Sequence, residues 1–181
     1  MGRFLFHCVQ EASIDGWLHP LNVLKDKHPD LFAQHVRKYE GREYVIKKRI
    51  PIFDCLWNDV LFLSAISPME VVQALKHVGG DPPPLKYYLI TDRAIELDQC
   101  IVYLYEHEDH EDPSQYVRYT PEMITRYASL PDKTLEYYRE AIASGDHPLL
   151  YRYVPHFLYR GSVWVGNSNV LTAEVVDLDS S

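Results

Sequence analysis

The sequence of 181 residues predicts an α+β fold with a mixed or antiparallel sheet. Three observations support this fold class. Helix patterns are concentrated in the N-terminal half and the middle of the chain, strand patterns lie between them and dominate the last third, and no internal repeat is present. A chain of this length is large enough for one hydrophobic core, so residues 1–181 are predicted to form a single globular domain.

The clearest local signal is a short apolar run that leads directly into a capped helix. Val60 to Leu63 is too short for a helix and suits a buried strand. Ser67 can accept hydrogen bonds at a helix N-terminus, and Pro68 fits the first helical position. Glu70 stands three residues after Ser67, as a capping box requires. This strand and the helix after it are therefore predicted to form the centre of the domain.

Strands and helices are also predicted before this centre. Phe4 to Val9 is predicted to be the first strand, with His7 near its end. Glycine and proline then interrupt the chain before a short helix at about residues 20–27 and a second helix that begins at Pro29. Residues 43–52 alternate apolar and basic side chains, as a half-exposed strand does.

The remainder of the chain alternates strands with two further helices and then ends in strands. Polar residues, glycine and proline separate the apolar runs. The turn at residues 166–169 is predicted to close a C-terminal hairpin. The predicted elements are strands at 86–90, 100–105 and 115–119, helices that begin near Pro121 and Pro131, and strands at 149–154, 157–165 and 170–178.

Composition and charge narrow the classes of function. The net charge of -8 disfavours binding that is driven by nucleic-acid phosphates, although an enzyme could still contact nucleic acid locally. The three cysteines are odd in number and far apart, as in a reduced cytoplasmic protein. No segment approaches the roughly 18 apolar residues of a membrane-spanning helix. We therefore expect a cytoplasmic protein without a membrane partner and with nucleic acid disfavoured by its net charge.

The acidic loop Glu106–Pro113 is the most visible polar cluster. His107 and His110 stand among Glu and Asp residues, and imidazole and carboxylate suit zinc, nickel or manganese. Their spacing matches no closed zinc motif, and no cysteine is near. A solvated loop after a strand is the alternative interpretation, so both histidines are candidate metal ligands and no more.

A second polar set lies near the C-terminus, where large aromatic residues alternate with Arg and His from Tyr151 to Gly161. If this segment is one continuous strand, then Arg152, His156 and Arg160 share a face. They could then bind phosphate or carboxylate, with Arg making bidentate contacts. The alternative is an ordinary sheet face on which the Arg side chains cover apolar surface.

The opening strand Phe4-Leu5-Phe6-His7 resembles that of the ADP-ribosyltransferase-like fold, as in RNA 2′-phosphotransferases and DNA-targeting ADP-ribosyltransferase toxins. The strand-to-helix junction from Ser64 to Met69 looks like the junction in those proteins. The order of elements is also similar over most of the chain. This resemblance implies NAD-dependent ADP-ribosyl transfer, with NAD as the cofactor.

The resemblance also implies roles for individual residues. His7 would hydrogen-bond the nicotinamide ribose, and Glu174 would orient the nucleophile. A tyrosine from Tyr87-Tyr88 or from the region of Tyr103 and Tyr105 would stack on the nicotinamide. Independently of the resemblance, Asn58, Asp59 and Ser64 stand at the edges of the central strand, where they are placed to reach a cleft.

Two classes of function remain open. The first is an enzyme or binding protein for a nucleotide-like or anionic small molecule, with ADP-ribosyl transfer as its sharpest form. The second is a non-catalytic interaction module, because 14 tyrosines could supply an aromatic surface for a protein partner or for a homo-oligomer. Signatures of α/β-hydrolases, P-loop NTPases, zincins and Rossmann dehydrogenases are absent from the sequence.

Overall fold

The computed structural model describes residues 3–9, 15–41, 44–166 and 170–174. Within these ranges, five α-helices and eleven β-strands form an α+β fold, as the sequence predicts. All of the strand pairs described there are antiparallel. None of the helices in these ranges is long and apolar enough to cross a membrane.

The elements are short, and 3₁₀ turns link many of them. The helices are α1 (Leu21–Lys27), α2 (Pro29–Val36), α3 (Pro68–His77), α4 (Glu122–Arg126) and α5 (Asp132–Ala143). The strands are β1 (Phe4–Cys8), β2 (Trp17–Leu18), β3 (Arg49–Ile50), β4 (Cys55–Leu56), β5 (Leu61–Leu63), β6 (Leu85–Thr91), β7 (Cys100–Tyr103), β8 (Tyr116–Arg118), β9 (His156–Tyr159), β10 (Val163–Trp164) and β11 (Leu171–Ala173).

Two antiparallel sheets meet at a single backbone bridge. The first sheet has the order β1-β6-β11, and the second has the order β5-β9-β7-β8. Phe6 and Ser64 exchange both of their backbone hydrogen bonds, with N···O distances of 2.7 and 2.9 Å. The bridge makes β1 and β5 neighbours, so seven strands form one extended surface in the order β11-β6-β1-β5-β9-β7-β8.

The two faces of this surface bury different side chains. One face carries the largest apolar cluster, in which Leu5, Val102 and Phe157 are fully buried. The opposite face of the second sheet is covered by residues 50–60, so that Ile50 packs in one cluster with Leu158. Burying a side chain of this size contributes roughly 1.5–3 kcal/mol. Both faces of β9 are therefore shielded along most of its length.

The predicted strand-to-helix centre is present, with one difference in its cap. Leu61 and Leu63 of β5 are buried, and the Ser67 hydroxyl accepts a hydrogen bond from Met69 N–H at 3.3 Å. Glu70 does not close the predicted capping box. Its Oε1 instead accepts the backbone N–H of Leu130 at 2.7 Å. The carboxylate therefore fastens α3 to the segment that precedes α5.

The strand predicted at residues 149–154 is wrong, because the segment forms turns. Its carbonyl groups accept hydrogen bonds from side chains of α5 in place of a neighbouring strand. The Tyr138 hydroxyl donates to Leu150 O, and the Thr134 hydroxyl donates to Arg152 O at 3.0 Å. The continuous strand face proposed for Arg152, His156 and Arg160 is therefore absent, since β9 begins only at His156.

Two other strand predictions also differ from the structure. Residues 43–52 form no long strand in their described part, which contains a 3₁₀ turn at Val45–Lys47 and the two-residue strand β3. The predicted C-terminal hairpin is also wrong, because β10 pairs with β2 and β11 pairs with β6. Residues 167–169 of its turn lie outside the described residues. Both strands find partners far away in the sequence, which local patterns cannot reveal.

Candidate functional site

Aromatic and histidine side chains converge where β7 ends and β9 begins. We call Tyr103, Tyr105, His110, Tyr153 and His156 the Tyr–His cluster. His156 lies directly opposite Tyr103 in the pairing of β9 with β7, so both side chains point to the same face. Ring centroids are 5.2 Å apart for Tyr103 and Tyr105, and 5.5 Å apart for Tyr105 and Tyr153.

Two members of the cluster have unusual backbone conformations. Tyr105 has a φ of 54° and Tyr153 has a φ of 61°, which is the left-handed region. Bulky residues rarely adopt this conformation, and each instance costs roughly 1–3 kcal/mol. The two tyrosines come from separate loops and meet ring to ring. Such strain in natural proteins is concentrated at functional sites, which makes this position a candidate.

His156 lies at the centre of the cluster, surrounded by aromatic rings. Phe62, Tyr103 and Tyr105 all stand nearly perpendicular to its imidazole, with centroid distances of 6.1, 6.3 and 5.9 Å. Desolvation lowers the pKa of His156 to about 4, against the opposing effect of two nearby carbonyl groups. The imidazole is therefore neutral at pH 7 and has one donor and one acceptor nitrogen.

One nitrogen of this imidazole is unsatisfied. In the described part of the chain, His156 Nδ1 is buried and has no hydrogen-bond partner. The residue as a whole is partly exposed, although its Nδ1 is not. Buried polar atoms in native proteins almost always have partners, and an exception calls for an explanation such as a bound molecule.

A chain of polar contacts runs outward from Tyr103. Its hydroxyl and His110 Nδ1 form a hydrogen bond, and His110 Nε2 lies 3.7 Å from Glu108 Oε2. Burial lowers the pKa of His110, and the charge of Lys48 lowers it further. Burial also raises the pKa of Tyr103. Both groups are therefore neutral at pH 7, and they hold the acidic loop against the cluster.

Arg152 extends this series of polar contacts to the surface of the protein. Its Nε and Nη2 lie 3.0 and 2.9 Å from the same Glu108 carboxylate oxygen. Its guanidinium also lies over the rings of Tyr137 and Tyr153, at 4.7 and 5.1 Å from their centroids. Desolvation raises the pKa of Glu108, but hydrogen bonds from Tyr153 and Arg152 outweigh it, so that the net pKa is lowered.

An open groove of about 710 Å³ begins beside Arg152 and Tyr153 and extends along α5. Lys133 lies in it with Nζ 4.2 Å from the centre of the Tyr153 ring. The carboxylates of Glu136, Glu140 and Asp146 also line it. Ligand sites commonly measure roughly 300–1,000 Å³. The groove is therefore large enough for a nucleotide-sized molecule.

The structure brings together four of the predicted ligand-binding residues, namely Tyr103, Tyr105, Arg152 and His156. Arg160 is exposed at the other end of β9, and its backbone N–H donates to Gln99 O. Asn58 is buried in the 3₁₀ turn Trp57–Asp59.

The predicted catalytic pair does not converge. His7 Nδ1 lies 2.8 Å from Phe62 O, so His7 reaches the strand beside the cluster. Glu174 is exposed and follows Ala173, which pairs with Leu85. His7 pairs with Tyr88, three residues further along the same strand. Spacings of roughly 3.3 Å per residue and 4.8 Å between strands put the Cα atoms of Glu174 and His7 about 16 Å apart.

The two candidate metal ligands turn to different partners. His107 Nε2 lies 3.1 Å from Asp112 Oδ2, whereas His110 is engaged by Tyr103. Across the described ranges, no group of three or more His, Cys, Asp and Glu side chains is arranged to hold a metal ion.

Several residues of the site were not predicted, namely Glu108, Lys133, Tyr137 and Tyr153. Glu108 belongs to the acidic loop, but its partner Arg152 is 44 positions away in sequence. Tyr137 and Lys133 lie on α5, whose approach to Arg152 depends on tertiary packing. The aromatic-basic alternation near the C-terminus pointed to Arg152 and His156, whereas the resemblance pointed to Tyr103 and Tyr105.

Comparisons with known proteins give no relative. No protein-family model matches the chain, and searches of curated proteins and of solved structures return no significant match.

Proposed function

We propose that the groove and the Tyr–His cluster bind a small anionic molecule with a planar ring, such as a nucleotide. The observation that carries this proposal is the unpartnered Nδ1 of His156. It lies among three aromatic rings, and one of these, Tyr105, contacts the Tyr153 ring over which Arg152 lies. A ligand group is the partner that this nitrogen lacks.

The cluster supplies surface for the ring of such a ligand. Tyr105 and Tyr153 are both partly exposed, their ring centroids are 5.5 Å apart, and the Tyr105 ring stands perpendicular to the His156 imidazole. Aromatic side chains bind planar rings by offset or edge-to-face contact. A neutral imidazole can donate one hydrogen bond and accept another, as recognition of a ring edge or a hydroxyl group requires.

The groove supplies the charge. Arg152 and Lys133 are the cations nearest to Tyr153. Glu108 now occupies the fork of Arg152, and we propose that a phosphate or carboxylate group of the ligand replaces it. Glu136 and Glu140, which also line the groove, would accept hydrogen bonds from hydroxyl groups, as a sugar provides.

ADP-ribosyl transfer stays a prediction within this class. Glu174, which the resemblance assigns to catalysis, lies about 16 Å from His7 by strand geometry. The carboxylate beside the proposed ring site is Glu108. Binding of a nucleotide-like ligand therefore has more support than that particular reaction.

The alternative of a tyrosine-rich interaction surface has less support. Of the 14 tyrosines in the chain, only Tyr44 is exposed. The others are buried or partly buried, and several of them form the Tyr–His cluster. Much of the tyrosine surface is therefore packed within the fold and is not presented to a protein partner.

Calorimetric titration with AMP, NAD and ribose 5-phosphate tests the proposal. We expect AMP or NAD to bind, and Arg152→Gln to weaken that binding at least tenfold, because a charge-assisted fork is lost. Arg160→Gln is the matched control, since Arg160 is exposed at the far end of β9. No binding of any of the three compounds, or equal loss in both variants, would refute the proposal.

A further inference from the structure

The buried nitrogen of His156 is closed to solvent in this conformation. Its Nδ1 is buried and has no partner in the described ranges, so a ligand can contact it only if a neighbouring side chain moves. Three rings surround the imidazole, and two of them, Phe62 and Tyr103, belong to strands β5 and β7. The third, Tyr105, lies beyond the end of β7. Tyr105 is therefore the ring that can move without breaking a strand pair.

The backbone of Tyr105 is strained. Its φ of 54° lies in the left-handed region, which bulky residues seldom adopt. Leu104, the residue before it, is fixed by a hydrogen bond from its N–H to Gln115 O at 2.8 Å. Strained conformations persist only where surrounding contacts hold them. The position of the Tyr105 ring therefore depends on the contacts that its side chain makes.

The carboxylate of Glu108 supplies part of this support. Its Oε2 lies 3.5 Å from the Tyr105 hydroxyl, and Tyr153 makes a side-chain hydrogen bond to the same carboxylate. Its Oε1 lies 3.0 and 2.9 Å from Nε and Nη2 of Arg152. One carboxylate thus joins the guanidinium to two tyrosines whose ring centroids are 5.5 Å apart. An internal anion therefore occupies the place that we propose for the anion of the ligand.

The Glu108 side chain can leave this place while the backbone beside it stays fixed. The buried Gln115 holds that backbone, because its Oε1 accepts the His107 N–H at 3.1 Å and its side-chain amide donates to Asp109 O. The Glu108 side chain itself is 49% exposed. An ion pair that is open to water contributes little net free energy. The contact between Glu108 and Arg152 is therefore easily exchanged for another.

We propose that Glu108 is a gate that regulates access to His156. In the closed state, its carboxylate binds Arg152 and holds Tyr105 against the imidazole. In the open state, the anion of the ligand has replaced the carboxylate, Tyr105 has turned away, and Nδ1 is accessible. Binding requires the open state, so the closed state lowers the apparent affinity. The inference rests on the proposed function for the nature of the ligand, whereas the gate itself is measurable without one.

The pKa of His156 in the ligand-free protein measures the gate. The pH dependence of the ring nitrogen resonances in protein labelled with ¹⁵N-histidine gives this pKa. Burial lowers it to about 4, two nearby carbonyl groups oppose that effect, and the charge of His110 adds to it. In Glu108→Ala, release of Tyr105 should let water reach the imidazole. The pKa of His156 should then rise toward its ordinary value of 6.5.

The sign of this change separates the gate from a direct charge effect. Loss of a negative charge disfavours a protonated imidazole, so by charge alone Glu108→Ala would lower the pKa of His156 or leave it unchanged. Glu106→Ala removes an exposed carboxylate from the same loop and is the matched control, in which the pKa should not rise. Tyr105→Ala removes the ring and should raise the pKa, and adding Glu108→Ala to it should cause no further rise.

A His156 pKa that is equal or lower in Glu108→Ala would overturn the gate, and so would an equal rise in Glu106→Ala. Calorimetric titration of wild type and Glu108→Ala with AMP separates this inference from the proposed function. Binding of AMP without a raised His156 pKa in Glu108→Ala would refute the gate and leave the nucleotide site. A raised pKa without AMP binding to either protein would support the gate and refute the nucleotide as its ligand.

Discussion

His156 is the residue on which the proposed ligand site depends. Its imidazole has aromatic rings on three sides and a buried nitrogen without a partner in the described chain. Burying a polar atom without compensation costs free energy, so the sequence could have gained stability from an apolar residue here. A histidine at this position is better explained by ligand recognition than by folding.

The depressed pKa of His156 predicts an acid-sensitive contribution to stability. The pKa is about 4 in the folded protein and 6.5 in the unfolded reference, so the unfolded state binds the proton first as pH falls. Above about pH 6.5 the residue is neutral in both states, so its titration does not change stability there. Between about pH 6.5 and pH 4 it should lower the free energy of unfolding by up to about 3 kcal/mol.

Denaturant unfolding of wild type and His156→Phe from pH 7 to pH 4 measures this contribution. The variant should lose less stability over this range than wild type does. The exposed His147, changed to Gln, is the matched control and should follow wild type. Parallel pH profiles for wild type and His156→Phe would show that His156 is not held neutral.

Replacing Glu108 should tighten ligand binding, whereas replacing Arg152 should weaken it. The Glu108 carboxylate binds the Arg152 guanidinium, which we propose as the group that binds the anion of the ligand. Glu108→Gln should therefore tighten AMP binding several-fold, and should cost less than about 1 kcal/mol of stability because the pair is exposed. Titration calorimetry against Glu106→Gln, an exposed neighbour on the same loop, checks this. Weaker binding in Glu108→Gln alone would mean that Glu108 orients Arg152 for the ligand.

At the scale of elements, α5 shapes the turn that carries Arg152 and Tyr153. The buried Thr134 donates its hydroxyl hydrogen to Arg152 O, and Tyr138 donates to Leu150 O. These bonds replace the strand ladder that the sequence pattern predicts for residues 149–154. The same bonds hold Tyr153 close to its left-handed conformation.

Thr134→Val tests this dependence on α5 with almost no change in side-chain volume. It leaves the Arg152 carbonyl without its partner and should lower the free energy of unfolding by about 1–3 kcal/mol. AMP binding should weaken as well, because Arg152 and Tyr153 would lose their position. Thr125→Val makes the same change at an exposed position of α4 and should change neither quantity. Unchanged AMP binding in a destabilised Thr134→Val variant would contradict the claim that AMP binding depends on the position of this turn.

At the scale of the whole molecule, the fold follows from one backbone bridge and several non-local strand pairs. The sequence predicted β1, β5 with α3, and α5, because apolar spacing and helix caps are local signals. It did not predict that β10 pairs with β2, or that side chains of α5 take the carbonyls of residues 149–154. Those contacts depend on which surfaces meet after folding.

The candidate site was likewise predicted in part, and its other features depend on tertiary contacts. Arg152 and His156 were identified from the aromatic-basic alternation, and Tyr103 and Tyr105 from the resemblance. The four residues do converge. The strand alternation that was expected to align Arg152 with Arg160 is interrupted before His156. The left-handed conformations of Tyr105 and Tyr153 and the pairing of Glu108 with Arg152 cannot be predicted from local sequence, since each depends on tertiary contacts.

The central claim is that a nucleotide-like ligand binds beside His156. The most direct measurement is NMR of the ring nitrogens of His156 in protein labelled with ¹⁵N-histidine, recorded with and without AMP. We predict that AMP shifts the His156 Nδ1 resonance in wild type and in Arg160→Gln, and that Arg152→Gln requires much more AMP for the same shift. A His156 spectrum that stays unchanged at every AMP concentration would contradict the claim.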